Sequence, residues 1–231
     1  MTYGVILRDA HGTIDTKKEY GLILCSDLSI SMPEPRYRFV DVPERDGAID
    51  LSEVLTDRMT YSQRAITFSL FAESDVIRGT DKPPNERVFL ELKARFANVY
   101  HGKRVEIRFP DDPDSNFYYT GRLTVGEKSG YNSGKIPITV TAQPYRFGNS
   151  HSETLTGQDV LWIDNYGTDV YPVLTASGSD AILVVNDSSF YVPEGRSASP
   201  EPLINGVNII EKDPEVSTAV TIQMEWQERK F

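Results

Sequence analysis

Apolar residues recur at every second position through much of the first half of the chain. In "YSQRAITFSLFA" Tyr61, Gln63, Ala65, Thr67 and Ser69 fall on one side and Arg64, Ile66, Phe68 and Leu70 on the other, the period of a half-buried strand. The second set is the more apolar and is expected to point inward. "YGLILCSDLSI" carries a short apolar run, and "RYRFVDV" alternates. "RVEIRFPDDPDSNFYYTGRLTVGE" holds two alternating runs joined by an Asp/Pro/Ser/Asn loop and predicts a long hairpin over 103–125. "KIPITVTAQPYRFG" supplies one more strand, with Ile136, Ile138 and Val140 on one face.

One segment changes period. In "KPPNERVFLELKARFANVYHGKR" Val88, Leu92, Phe96, Val99 and Tyr100 follow at spacings of three and four, the stripe of a helix lying on a sheet. Asn85 fits its N-cap and Gly102 the left-handed residue past its end, so a helix is expected over about 85–101.

From residue 149 onward short apolar runs alternate with Gly, Asn, Asp and Ser: "VLWIDNYG", "YPVLTASG", "AILVVND", "SSFYVP", "LINGVNIIEK" and "AVTIQMEWQ". Strands at this spacing, without a helical stripe, predict a β-sandwich. "PEGRSASPEP" reads as the one long irregular connection. The chain is expected to be mainly β, with a β-sandwich-like N-terminal domain carrying one helix and a long hairpin, followed by a second β-sandwich.

Charge sharpens the division. Residues 149–231 hold 4 Lys/Arg against 13 Asp/Glu, a net of −9, which leaves 20 against 21 for residues 1–148. We place a domain boundary there, giving 1–147 and 148–231. So acidic a second half disfavours nucleic acid, whose phosphates need a basic footprint, and no sequence-specific nucleic-acid binding is expected. No stretch approaches the ~20 apolar residues of a membrane span, and "MTYGVILRDAHG" lacks the pattern of a secretory leader. With Cys25 the single cysteine, no intrachain disulfide can form. Cys25 is expected to be a small buried hydrophobe.

Motifs that carry chemistry are sparse. G-x-S-x-G, H-E-x-x-H and G-x-G-x-x-G do not occur. "GYNSGK", residues 130–135, sounds like a phosphate loop, but the glycines are too close and Ile136 follows the lysine, so it reads as a turn. His11, His101 and His151 are scattered beside turn residues. "VDVPERDGAIDLSE", residues 40–53, places Glu44, Asp46, Asp50 and Glu53 at calcium-loop positions around Gly47. Val42, however, stands where the first carboxylate belongs, Pro43 follows, and the flanks read as strand. Asp112, Asp114 and Asn116 imitate the start of such a loop, with Phe117 where glycine is required. Trp162 and Trp226 are expected in the sandwich core. No catalytic, cofactor-binding or metal-ligating residue is assigned, no cofactor is implied, and the chain reads as a non-enzyme.

The order "YRFVDVPERDGAIDLSE", "MTYSQRAITFSLF", the helix to "NVYHGKRVEIRF", "YYTGRLTVG" and "IPITVTAQPYRF" resembles the distal tail protein (Dit) family of bacteriophages with long non-contractile tails. The likeness covers about residues 20–147 and extends more weakly to "IDNYGTDVYPVLTASG", through Asn165, Gly167, Pro172 and Gly178. It implies a structural hub of the tail tip or baseplate: a hexameric ring built by the N-terminal domains, single or in two rings back to back. Such a hub joins the tail tube protein to the tail-associated or fibre protein and the receptor-binding protein. The resemblance also implies a galectin-like C-terminal β-sandwich and a location in the virion after synthesis in the host cytoplasm. The strands of 61–71 and 136–142, and the 103–125 hairpin as a pairing arm, are the expected subunit contacts. The alternative is a carbohydrate-binding adhesin module acting through the C-terminal sandwich, which exposed aromatic residues in one groove of 149–231 would support.

Overall fold

Alternation governs the architecture of the computed structural model, which describes residues 3–54, 56, 58–72, 86–110, 112, 114, 116–127, 134–157, 160–213 and 220–231. The chain is mainly β and divides into two compact units, Met1–Tyr145 and Arg146–Phe231.

The first unit runs β1 (Ile6–Asp9), β2 (Gly12–Asp15), α1 (Thr16–Tyr20), β3 (Leu22–Leu24), β4 (Ser29–Ile30), β5 (Phe39–Val40), β6 (Ile49–Asp50), β7 (Arg64–Ala72), α2 (Glu86–Tyr100), β8 (Arg104–Arg108), β9 (Tyr118–Val125) and the first part of β10 (Lys135–Leu155). Its main sheet has the order β2-β1-β8-β9-β10-β7, and β3 and β4 pair with β7. Along β7, Arg64, Ile66, Phe68 and Leu70 are buried while Ala65 and Thr67 are exposed, as the alternation predicts, but Ser69, expected on the outer side, is buried too, its amide donating to Asp27 Oδ1 at 3.0 Å. Buried Arg64 lies with its guanidinium carbon 5.6 Å from the centroid of Tyr119, so the charge rests on an aromatic face.

Helix α2 sits one residue inside the expected span, and the Asn85 cap falls outside the described residues. Its buried side chains are Phe89, Phe96 and Tyr100, so the stripe begins at Phe89, and Val88 is only half-buried. Phe96, fully buried, contributes about 2–3 kcal/mol by removal from water. Tyr20 meets its ring edge-on at 5.4 Å, and burial pushes the neighbouring Tyr100 hydroxyl up to about 12. Gly102 follows the helix at φ +78°.

The short α1 escapes sequence periodicity because five residues make little more than one turn. Local hydrogen bonds define it instead. Asp15 accepts from Lys17 N at 2.9 Å, Gly21 closes it in the left-handed region, and buried Thr16 accepts from Val5 N and donates to Leu22 O.

The second unit contains the rest of β10 and β11 (Val160–Asn165), β12 (Val173–Ser177), β13 (Ala181–Val185), β14 (Ser188–Val192), β15 (Gly195–Ala198), β16 (Gly206–Lys212) and β17 (Thr221–Lys230). One sheet runs β15-β12-β17-β10 and the other β11-β16-β13-β14. Leu155, Leu174, Ile222 and Met224 from the first sheet and Ile163, Leu183, Val185 and Ile210 from the second belong to one buried cluster, the filling of a sandwich. All six predicted strands are present. "PEGRSASPEP" is a correction: Gly195–Ala198 pairs with Val173–Ala176, a polar edge strand that lacks the apolar alternation by which strands are recognised.

Asn208 holds one end of the sandwich. Fully buried, it donates to Ile163 O, Ile204 O and Gly206 O and accepts from Ile204 N and Asn186 Nδ2. Asn186 and Asp187 both have positive φ and turn β13 into β14. Replacing Asn208 with Leu leaves these buried groups without their partner. The expected loss is about 2–4 kcal/mol, read as a lower urea midpoint with an unchanged slope.

Candidate interaction surfaces

An arm, residues 31–62 without 55 and 57, which are not described, runs within the first unit between β4 and β7. Along it "RYRFVDV" forms only the two-residue strand β5, which pairs with β6 as Phe39↔Asp50 and Val40↔Ile49. A bridge joins Pro35 to Tyr61. Apolar side chains on the arm lie in water: Met32 is 70% exposed, Val54 69%, Tyr37 61% and Phe39 60%, with Val40 and Val42 exposed beside them. Tyr37 and Phe39 stack on each other at 5.9 Å, the contact open to two residues of like parity on a ribbon.

The acidic turn at its tip resolves as a hairpin loop. Gly47 has φ +77°, an angle closed to most side chains, and Glu44 also stands in the left-handed region at φ +64°. Glu44, Arg45 and Asp46 are exposed, and Ile49 and Leu51 are half-buried. Asp50 does not point to a shared centre. It accepts from the amide and the hydroxyl of Ser52, which hold its carboxyl below the ordinary range, and Ser52 Oγ accepts in turn from Arg38 N at 2.8 Å. Among the described residues no three His, Cys, Asp or Glu side chains converge as a metal site would require. Asp112 likewise closes its own turn, accepting from Asp114 N at 2.9 Å. The "GYNSGK" turn lies, from 130 to 133, outside the described residues.

The 103–125 hairpin is not a free arm. β8 is flanked by β9 and β1, and β9 by β10, so its hydrogen-bonding edges are occupied, and Val105, Ile107, Tyr119 and Leu123 are in the core. Its outer face forms a polar concavity of about 480 Å³ lined by Gln63, Gly102, Arg104, Thr120, Gly121, Arg122, Thr124, Thr141 and Gln143.

The histidines remain apart. His11 is exposed on a turn, and His101 accepts from Val125 N at 3.1 Å. His151 is not in a loop: it lies in β10, stacked on Trp226 at 5.3 Å, with Nε2 3.0 Å from Glu228. Cys25 is half-buried, and burial pushes its thiol up.

Trp162 is a correction too. It is 64% exposed, on the solvent face of β11 opposite Ile209, with exposed Val160 and Val207 nearby. Trp226 packs at the margin of the core. Tyr191 is 61% exposed but stands on β14, the fourth strand of that sheet, roughly 14 Å away at ordinary strand spacing. Its hydroxyl is spent on Asp180, holding that carboxyl below its ordinary range. Tyr166, 74% exposed just past the end of β11, is four positions from Trp162, about 13 Å along an extended strand, so these exposed aromatics are spread out instead of adjacent. Asn165, buried, donates to Leu203 O and accepts from Gly167 N, and Gly167 passes so near Arg229 O that a Cβ would lie 2.2 Å from it.

No family model and no curated protein sequence matches the chain. Among solved structures it is similar to the crystal structure of SPP1 Dit (gp 19.1), described as a paradigm of the hub adsorption apparatus in phages infecting Gram-positive bacteria. The TM-score is 0.62 and the identity 12%, over 100% of each chain. The chain thus has the Dit fold from end to end.

Tryptophan quenching tests the sandwich surface. Iodide is expected to quench one of the two emitters strongly, and Trp162→Phe to remove that component while leaving the blue-shifted emission of Trp226.

Proposed function

We propose that the protein is a distal tail protein, a non-catalytic hub of a phage tail tip or baseplate. Its N-terminal domain, 1–147, builds a hexameric ring, single or in two rings back to back. The galectin-like sandwich of 148–231 faces outward. The hub joins the tail tube protein to the tail-associated or fibre protein and the receptor-binding protein. It resides in the virion after synthesis in the host cytoplasm.

The observation that carries this reading is the arm of 31–62 in a chain of Dit fold. A two-stranded ribbon is marginal in water on its own, and exposed apolar side chains along it call for a covering surface. A neighbouring copy can supply that surface to every subunit at once, because a heterologous contact repeated by rotation closes into a ring. The edges of β7 and β10 are occupied within the chain, so these strands meet a neighbour through exposed side chains such as Thr67, Thr139 and Thr141. The adhesin reading has exposed Trp162 and Tyr166 as its best residues, about 13 Å apart along the strand and not side by side.

Sedimentation tests the proposal. The wild-type chain is expected to reach six times its 26.0 kDa mass, or twelve times for two rings back to back, whereas a Phe39→Glu, Val42→Glu variant stays monomeric with an unchanged far-UV spectrum. A wild type that remains monomeric at every concentration, alone and with its tail partners, contradicts the ring.

A further inference from the structure

The outer face of the β8–β9 hairpin breaks a rule of sheet pairing. Arg104 and Arg122 are directly opposite on neighbouring antiparallel strands, where like charges repel and destabilise the pair. Both are exposed. Arg122 Nη1 donates to Gly102 O at 2.9 Å, a neutral acceptor, and among the described residues neither guanidinium has a carboxylate partner. The rest of the concavity between them is threonine, glutamine and glycine, without an acidic group. Farther along the same face Arg8 and Arg108 outnumber Glu106, which is engaged by Arg8 at 3.4 Å. A basic hollow of this kind, in a chain of net charge −10, is completed by carboxylates from outside.

The same chain presents such carboxylates, and among the described residues Glu44 and Asp46 have no cationic partner. The turn of 40–53 carries Asp41, Glu44, Asp46, Asp50 and Glu53 against one arginine, Arg45. Glu44 and Asp46 are exposed at its tip, while Asp50 is held by Ser52. About 480 Å³ is room for the two carboxylate side chains of the turn, with threonine and glutamine groups to meet its polar backbone. We infer that the turn of 40–53 from one copy docks its Glu44 and Asp46 into the Arg104/Arg122 hollow of a second copy. This rests on the ring reading and names the receptor for the arm. Two arginines are too small a footprint for a nucleic-acid backbone, which needs a run of phosphate contacts. A carboxylate, in contrast, fits a guanidinium fork with two parallel hydrogen bonds.

A charge-exchange cycle on the full chain, read by sedimentation equilibrium at low and high salt, tests the pairing. Arg104→Glu with Arg122→Glu is expected to weaken self-association about tenfold or more. Glu44→Arg with Asp46→Arg, on an exposed turn whose changes leave the core untouched, is expected to do the same. Combining all four is expected to restore most of the affinity, as a direct contact requires. Assembly of both double variants at wild-type strength overturns the docking while leaving the ring in place. So does a combined variant no stronger than its parents, with each folded by circular dichroism. A wild type that never self-associates removes the ring itself. Wild-type binding of a single-stranded oligonucleotide that Arg104→Glu with Arg122→Glu abolishes, with self-association unchanged, would assign the hollow to phosphate.

Discussion

Apolar side chains on a two-stranded ribbon need a third layer, and the ribbon of Phe39–Val40 and Ile49–Asp50 leaves Phe39 60% exposed and Tyr37 61% exposed. That unmet burial organises the account. Among the described residues, the remainder of the first unit buries most of its apolar side chains itself: its strands have neighbours, its helix packs on the sheet, and Phe96 and Ile107 are fully buried. An arm of some thirty residues without a comparable core is therefore best understood as half of a contact. Heterologous contacts of this type build rings without any convergent catalytic site. The scattered histidines, the self-satisfied Asp50 and the spread of Trp162 and Tyr191 are compatible with the assembly role proposed above.

Electrostatics adds direction to that contact. Hydrophobic burial is indifferent to register, whereas the Arg104–Arg122 pair is a like-charge contact whose cost falls when an anion arrives. An acidic turn on an apolar stem gives one arm both terms, area for affinity and charge for placement. Its φ-positive residues, Gly47 and Glu44, present the tip as a tight loop.

Much of the fold was legible because period and burial coincide. β7 alternates from Arg64 to Phe68 before buried Ser69 interrupts it, and all six expected strands of the second unit are marked by Gly, Asn or Asp turns. What escaped had no periodic signal. Helix α1 is a single turn fixed by Asp15 and Thr16, β15 is polar, and β10 runs on to Leu155 through "RFGNSHSETL", whose exposed face breaks the alternation. Trp162 was misplaced because aromatic residues in a sandwich usually fill it, and its solvent-side parity in β11 shows only once the register with Ile209 is known. The surfaces were harder still. Glu44 and Asp46 were legible as an acidic turn and misleading as a calcium loop, while Arg104 and Arg122 lie eighteen positions apart and become neighbours only through the β8–β9 register.

Hydrogen exchange across the arm tests the central claim most directly, because it reports on those backbone amides in the assembled and the dissociated protein. The account predicts rapid exchange of residues 36–54 at low concentration and strong protection of the same amides on assembly, with little change in the buried strand β8. An assembled protein in which the arm exchanges as fast as in the monomer would contradict it.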